Sequence, residues 1–334
     1  MSKVIWGILS TANIGIKRVI PAILSGERGV VAAIASRDAE RARDVATRFG
    51  IGRSYGSYQA LLDDGEIEAI YNPLPNHLHV EWTVKALEAG KHVLCEKPIA
   101  LNAVEAQAIV AARDGSGKRV IEAFMVRCHP QWHRVRALVR EGRIGIVRAL
   151  QSAFTFPVAS PANVRNRVEY GGGALYDVGC YPIVTARYLL GTEPVRAIAL
   201  LDRDPTLAVD RVTSGLVAFP GGEQLLLTSA LQLALYQRVV VLGTQGRIEI
   251  TVPFTPPKDH ACRIVIDSGA SLDGSSAVVE EFAPIDQYRL QCDLAAAAFR
   301  NESAQEFPIE DAIANMRVID ALYRSAISGR WESP

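Results

Sequence analysis

The stretch Lys91-His-Val-Leu-Cys95-Glu96-Lys97-Pro98 is where this sequence first spends charge on something other than solubility. A short, mostly apolar run reads as a strand and leads directly into a carboxylate, an ammonium and a proline. In an open α/β sheet ligands sit beyond the carboxyl ends of strands, so charges there face the crevice where a cofactor lies. Pro98 ends the strand and keeps Lys97 extended, so Lys97 is expected to point at a reacting substrate. The competing reading is a surface Glu–Lys pair. A second cluster is Tyr170-Gly-Gly-Gly-Ala-Leu-Tyr176-Asp177-Val-Gly-Cys-Tyr181-Pro182. Consecutive glycines are entropically costly and permit close approach of the backbone to a ligand. Asp177 and Tyr181 are four apart, so a helix presents both on one face. A phenol near a carboxylate and a lysine can give or take a proton. Against that stands a packed Tyr181 with Asp177 as an ordinary charge at a helix start.

The elements around these residues read as a nucleotide cradle. Residues 4–10 form an apolar strand, as a strand covered on both faces must be. Gly7-Ile-Leu-Ser10-Thr11-Ala12-Asn13-Ile14-Gly15 follows, then an apolar-periodic helix to about Gly26. Strand, tight turn and helix together aim N–H groups at a pyrophosphate. Ser10 and Ala12 stand where the glycine pattern usually continues; both are small, and Ser10 can donate a hydrogen bond. A second strand over residues 30–35 ends at Ser36-Arg37, with Asp38 as N-cap of the helix over 39–49. A carboxylate at that strand end takes the ribose 2′-hydroxyl of NAD, whereas arginine accommodates the 2′-phosphate of NADP. The reading is NADP, with NAD as the lesser possibility.

Further βα alternation covers a helix at 58–62, a strand at 69–72, a helix at 78–89, a strand at 91–95, a helix at 103–113 and a strand at 120–124. That spacing means a doubly wound parallel sheet. In the proline-braced turn between 72 and 79, Asn76 reads as a helix N-cap, and His79 either contacts the cofactor or caps the helix. The cofactor-binding candidates are Gly7, Ser10, Thr11, Ala12, Asn13, Ile14, Ser36, Arg37, Pro73, Asn76, His79, Glu96 and Lys97.

From residue 146 the pattern changes to long strands and hairpin turns such as Pro220-Gly221-Gly222, implying a mostly antiparallel sheet. The expected division is residues 1–125 for the nucleotide and 126–334 for the substrate and subunit contacts. The last helix, over 310–328, is expected to turn Ile313, Met316, Ile319, Leu322 and Ile327 to the core. His129 and His133 share a helical face, but no third ligand has suitable spacing, so no metal site is expected. Lys plus Arg and Asp plus Glu both total 36, which gives no basic excess for nucleic acid or membrane surfaces. No apolar run approaches the roughly 20 residues of a membrane span. Five cysteines without a CxxC pair suit a reducing cytoplasm.

A nucleotide-binding opening, then Cys95-Glu96-Lys97-Pro98, then Gly171-Gly172-Gly173-x-x-x-Asp177-x-Gly179-x-Tyr181 resembles the glucose–fructose oxidoreductase/inositol dehydrogenase (Gfo/Idh/MocA) family. The resemblance spans essentially the whole chain. Tyr181, where many members carry histidine, is similar to the NADP-dependent dihydrodiol/D-xylose dehydrogenase branch. It implies an N-terminal Rossmann domain and a C-terminal α+β domain whose open sheet face packs on another subunit, giving a homodimer or homotetramer. It also implies Lys97 as the catalytic lysine, Tyr181 as general acid/base and Asp177 as a polar residue of the substrate site. The expected reaction is hydride transfer between nicotinamide and a secondary alcohol or hemiacetal carbon of a sugar or cyclic vicinal diol. Two alternatives stand beside it: a non-catalytic NAD(P)-sensing regulator, and an oxidoreductase that retains its cofactor between two sugars. Arg165 and Arg167, in the loop 157–169, border the pocket in this reading, or else lie in solvent or at a subunit contact.

Overall fold

The computed structural model describes residues 2–334, which group into two compact units. The first contains residues 2–125 together with Asp286–Ile313. Its parallel strands are β1 (Val4–Leu9), β2 (Gly29–Ala35), β3 (Arg53–Tyr55), β4 (Ala69–Asn72), β5 (His92–Cys95) and β6 (Val120–Glu122), in the order β3-β2-β1-β4-β5-β6. Val4, Trp6, Ile8 and Leu9 are all buried, because helices cover both faces of the sheet. The chain runs outward from β1 through β2 to β3, then returns to place β4 on the other side of β1. This reversal makes the crevice at the carboxyl ends of β1 and β4 a ligand position by topology.

The helices of this unit are α1 (Ile20–Ser25), α2 (Ala39–Phe49), α3 (Tyr58–Leu62), α4 (His79–Glu88), α5 (Gln107–Ser116) and α8 (Gln287–Phe299). α1 is preceded by a wide π-turn, Gly15–Val19. Asp38 caps α2 as expected, accepting from the Arg41 N–H at 3.1 Å. α5 starts at Gln107 rather than 103, after a run of turns. α8 went unread in the sequence because its alanines give a weak apolar stripe. Its Cys292, Ala295, Ala296 and Phe299 are nevertheless part of the core around Trp6, and the Phe299 and Trp6 rings lie 5.6 Å apart.

The second unit contains Val126–Ile285 and Ala314–Pro334. Its sheet runs β14-β13-β12-β11-β7-β10-β9-β8, with β7 at Val147–Thr155, β8 at Arg196–Arg203, β9 at Asp210–Ala218 and β10 at Gln224–Ala230. The remaining strands are β11 (Tyr236–Gly243), β12 (Gly246–Ile250), β13 (Cys262–Asp267) and β14 (Ala277–Phe282). Every pairing is antiparallel except β10 with β7. α6 (Pro130–Arg140), α7 (Cys180–Leu190) and the longer part of α9 (Ile309–Ser328) belong to this unit. Of the residues expected to face inward on α9, Ile313, Met316, Ile319 and Leu322 are buried, but Ile327, in the last turn, is 83% exposed. The opposite face of the sheet presents Leu200, Leu226 and Tyr236 to solvent.

Candidate active site

The carboxyl ends of β1, β2, β4 and β5 are level, with Leu9 opposite Ala35, Ile8 opposite Tyr71 and Asn72 opposite Cys95. All the candidate nucleotide residues except Gly7 lie beyond these ends. Gly7 lies inside β1, where a Cβ would meet the side chains of Leu61, Ile67 and Ile70 at 2.9–3.1 Å. It serves the approach of α3 to the sheet, not the phosphate. The flexible position is Ser10, which takes the left-handed conformation (φ 67) that glycine would otherwise supply. Its Oγ accepts from the Ala12 N–H at 3.2 Å, leaving the hydroxyl proton to donate. Thr11 is buried, Asn13 exposed, and Ile14 leads into the π-turn. Ser36 is buried and its Oγ accepts from the Asp38 N–H at 3.2 Å. Arg37 is exposed and hydrogen-bonds Tyr58. Arg41, which the sequence reading passed over as an ordinary helix charge, extends its Nη2 to 3.5 Å from the Thr11 carbonyl, over the first loop. A helix start with open N–H groups, two small residues and two guanidiniums is a donor set that fits a dinucleotide carrying a 2′-phosphate.

Glu96 and Lys97 follow β5 on this same rim. A buried phenol fixes Glu96 from beneath: Tyr71 donates to its Oε1 at 2.6 Å, and the Glu96 N–H donates to the Asn72 carbonyl at 3.0 Å. The Lys97–Pro98 peptide is cis. His79 is fully buried, with Nδ1 2.7 Å from the Pro98 carbonyl and Nε2 2.7 Å from the Leu74 carbonyl. Both ring nitrogens are engaged by the protein, so His79 ties the turn after β4 to the segment after Lys97 and does not touch a cofactor. Burial, aided by the Lys97 charge, pushes its pKa down to about 4 against the pull of those carbonyls. The neutral ring that results donates to one of the two oxygens. Asn76 is the first residue of a short 3-10 turn, Asn76–Leu78, whose cap is Pro75; it does not act as the expected N-cap.

In the second unit Asp177 and Tyr181 sit on a continuous helix that opens with another π-turn, Leu175–Gly179, and continues as α7. Tyr181 is 5% exposed, its ring 5.5 Å from both Phe154 and Phe254 in tilted or edge-on contacts. Arg165 pairs through Nε with Asp177 Oδ2 at 2.6 Å, whereas Arg167 pairs with Glu169 in solvent. The glycine run proves to be needed for the chain's own backbone. A Cβ on Gly172 would stand 2.5 Å from the Arg165 carbonyl oxygen and 2.7 Å from that of Arg167. At Gly173 (φ 120) the corresponding space holds the Asp210 carboxylate. These glycines therefore admit the loop that carries Arg165, rather than a ligand. His129 caps α6 and His133 meets the Arg127 carbonyl; among the described residues no group of three side chains could hold a metal.

Residues 5–124 match an oxidoreductase family with an NAD-binding Rossmann fold, and residues 132–249 match the GFO/IDH/MocA C-terminal domain. The chain is 49% identical to an uncharacterised oxidoreductase of Rhizobium meliloti over the full length of both. It is 38% identical to an NADP-dependent D-xylose 1-dehydrogenase of Haloferax volcanii, over 97% of this chain and 98% of the relative. Among solved structures, a 3-ketoreductase of Actinomadura kijaniata in complex with NADP and TDP-benzene has a TM-score of 0.91 at 30% identity, covering 97% of this chain and 98% of that one. That ketoreductase has also been solved with one lysine and one tyrosine replaced, at the same separation along its chain as Lys97 and Tyr181 here. A dinucleotide sheet with Glu-Lys-Pro on its rim, followed by a mixed sheet and helix with Tyr181, and matched end to end by such relatives, makes this chain a member of the Gfo/Idh/MocA family of NAD(P)-dependent oxidoreductases.

Proposed function

We propose that this chain oxidises or reduces a secondary alcohol or hemiacetal carbon of a sugar or cyclic vicinal diol, using NADP in preference to NAD. The observation that carries the reading is Lys97, held on the β5 rim between Glu96 and the His79-bound Pro98 carbonyl, beside a cradle suited to a dinucleotide. The unit built on residues up to 125 binds the dinucleotide, with 286–313 completing its core instead of belonging to a substrate half running from 126 to 334; residues 126–285 and 314–334 hold the substrate and the subunit contact. Ser10, Ala12 and the N–H groups from Asn13 onward hold the pyrophosphate, while Ser36, Arg37 and Arg41 hold the 2′-phosphate.

Bound NADP supplies the hydride acceptor or donor at its nicotinamide. The protein's part is to manage charge and proton on the substrate oxygen. Tyr181 Oη takes the hydroxyl proton in oxidation and returns it in reduction. Lys97 Nζ stabilises the negative charge that develops on that oxygen. Asp177, neutralised by Arg165, hydrogen-bonds a neighbouring hydroxyl; the pair offers donors and an acceptor together, which suits a neutral polyol. The five thiols suit a reducing cytoplasm, and the exposed face of the mixed sheet suits a second copy of the chain.

The test is a screen of NADP reduction against aldoses, inositols and cyclic trans-diols. Turnover in one class is expected, with a lower KM for NADP than for NAD. No turnover in any class would overturn the reading.

A further inference from the structure

The turn from which Asp177 and Tyr181 project is held by a group outside the proposed chemistry. Asp210, the first residue of β9, is 1% exposed. Its Oδ2 accepts from the Leu175 N–H at 2.7 Å and from the Thr213 hydroxyl at 2.7 Å, and its Oδ1 accepts from the Tyr323 hydroxyl at 3.1 Å. Tyr323 belongs to α9, and its ring lies 5.1 Å from that of Tyr176. The same carboxylate occupies the side-chain space of Gly173, whose N–H donates to the Arg165 carbonyl at 2.9 Å and whose own carbonyl accepts from the Asp177 N–H at 3.1 Å. One anion thus touches the strand, the glycine turn and the last helix.

Three donors converge on Asp210, and only a carboxylate accepts from all of them at once. Its charge also lies at the opening turn of the helix 175–190, the end that favours an anion. Burying a carboxylate costs several kcal/mol, and an apolar residue in a core position usually gives as much stability. Two of the three bonds tie the carboxylate to its own strand (Thr213) and to α9 (Tyr323); the third, with the contact at Gly173, carries that anchorage to the turn two residues before Asp177 and six before Tyr181.

We propose that Asp210 is a positioning residue for the reaction: its carboxylate fixes the turn that aims Asp177 and Tyr181. This rests on the reading of Tyr181 as proton carrier. The experiment uses the full chain with Asp210→Ala and Asp210→Asn. In Asp210→Ala, amide hydrogen exchange should lose protection at residues 173–179 while the strands of the first unit keep theirs. Turnover should fall by about tenfold to a hundredfold, as expected for a misplacement of about 1 Å, with the KM for NADP within about twofold. The pH–rate limb of the tyrosine should shift, which a smaller fraction of folded enzyme would not cause. Asp210→Asn can accept from Leu175 and donate to Tyr323, so it should recover kcat to within about threefold of the wild type. Wild-type exchange and pH limb in Asp210→Ala would overturn the proposal. So would a fall in kcat accompanied by equal loss of NADP binding and no shift of the limb. Should Asp210→Ala not fold, Tyr323→Phe decides: raised exchange at 173–179 with a shifted limb supports the role, and neither change overturns it. Exchange is read without substrate, so a wild-type chain that turns over nothing refutes the functional reading without being mistaken for failure of Asp210.

Discussion

Lys97 and His79 show what single residues can and cannot reveal before the fold is known. The place of Lys97 on the rim of the sheet was legible, because a short apolar strand runs directly into Glu96, Lys97 and a proline. Replacing it with alanine should cost on the order of 100-fold or more in kcat while the dinucleotide still binds, measured by steady-state rates and cofactor titration. Near-native turnover would remove Lys97 from the chemistry. His79 was ambiguous because a histidine on a first turn looks alike as ligand, cap or brace, and only its burial between two carbonyls decides. It has company. Burial pushes His79, His92 and His129 down to about 4, helped at His79 by Lys97 and at His92 by Lys118 and Arg119. An unfolded histidine titrates near 6.5, so between about pH 6.5 and 4 the unfolded chain binds protons that the folded chain refuses. Stability must therefore fall as pH drops through that window. Calorimetry should show a lower Tm at pH 5 than at pH 7 with net proton uptake on unfolding, and a flat Tm would contradict it.

Elements were more legible in kind than in detail. The strand-and-helix alternation of the first unit follows from apolar runs and capping residues, as at Asp38 and α2. What spacing alone could not show is that the helices carrying the candidate residues Ile14 and Asp177–Tyr181 open with π-turns, Gly15–Val19 and Leu175–Gly179. Such wide turns recur at functional sites, where they re-aim the side chains that follow. The glycine run was visible too, but its purpose was not. Consecutive glycines signal a close approach without saying what approaches, and at Gly172 it is the carbonyls of Arg165 and Arg167. Gly172→Ala should accordingly destabilise by about 2 kcal/mol, lowering Tm by roughly 4–8 °C for a unit of this size. It should also loosen the Arg165–Asp177 pair, raising the KM for substrate more than that for NADP. A melting curve and KM values at wild-type levels would show that the loop shifts aside without penalty.

At the scale of the molecule, two sheets could be read from the change in pattern near residue 146, whereas the return of residues 286–313 to the first unit could not. Helix periodicity records that a stripe is apolar but not which sheet it covers. The exposed face of the mixed sheet carries Leu200, 80% exposed, alongside Leu226 and Tyr236. On the proposal that this face holds a second copy, Leu200→Asp should lower the mass seen by light scattering, and an unchanged mass would leave the face to some other purpose. The return of α8 has a separate consequence. Trp6 and its neighbours are shielded in part by Phe299 and the alanines before it. A ribosome must therefore translate most of the gene before the nucleotide half is sealed, and a fragment cut after residue 125 would leave that half with a wet, sticky wall where a helix should lie.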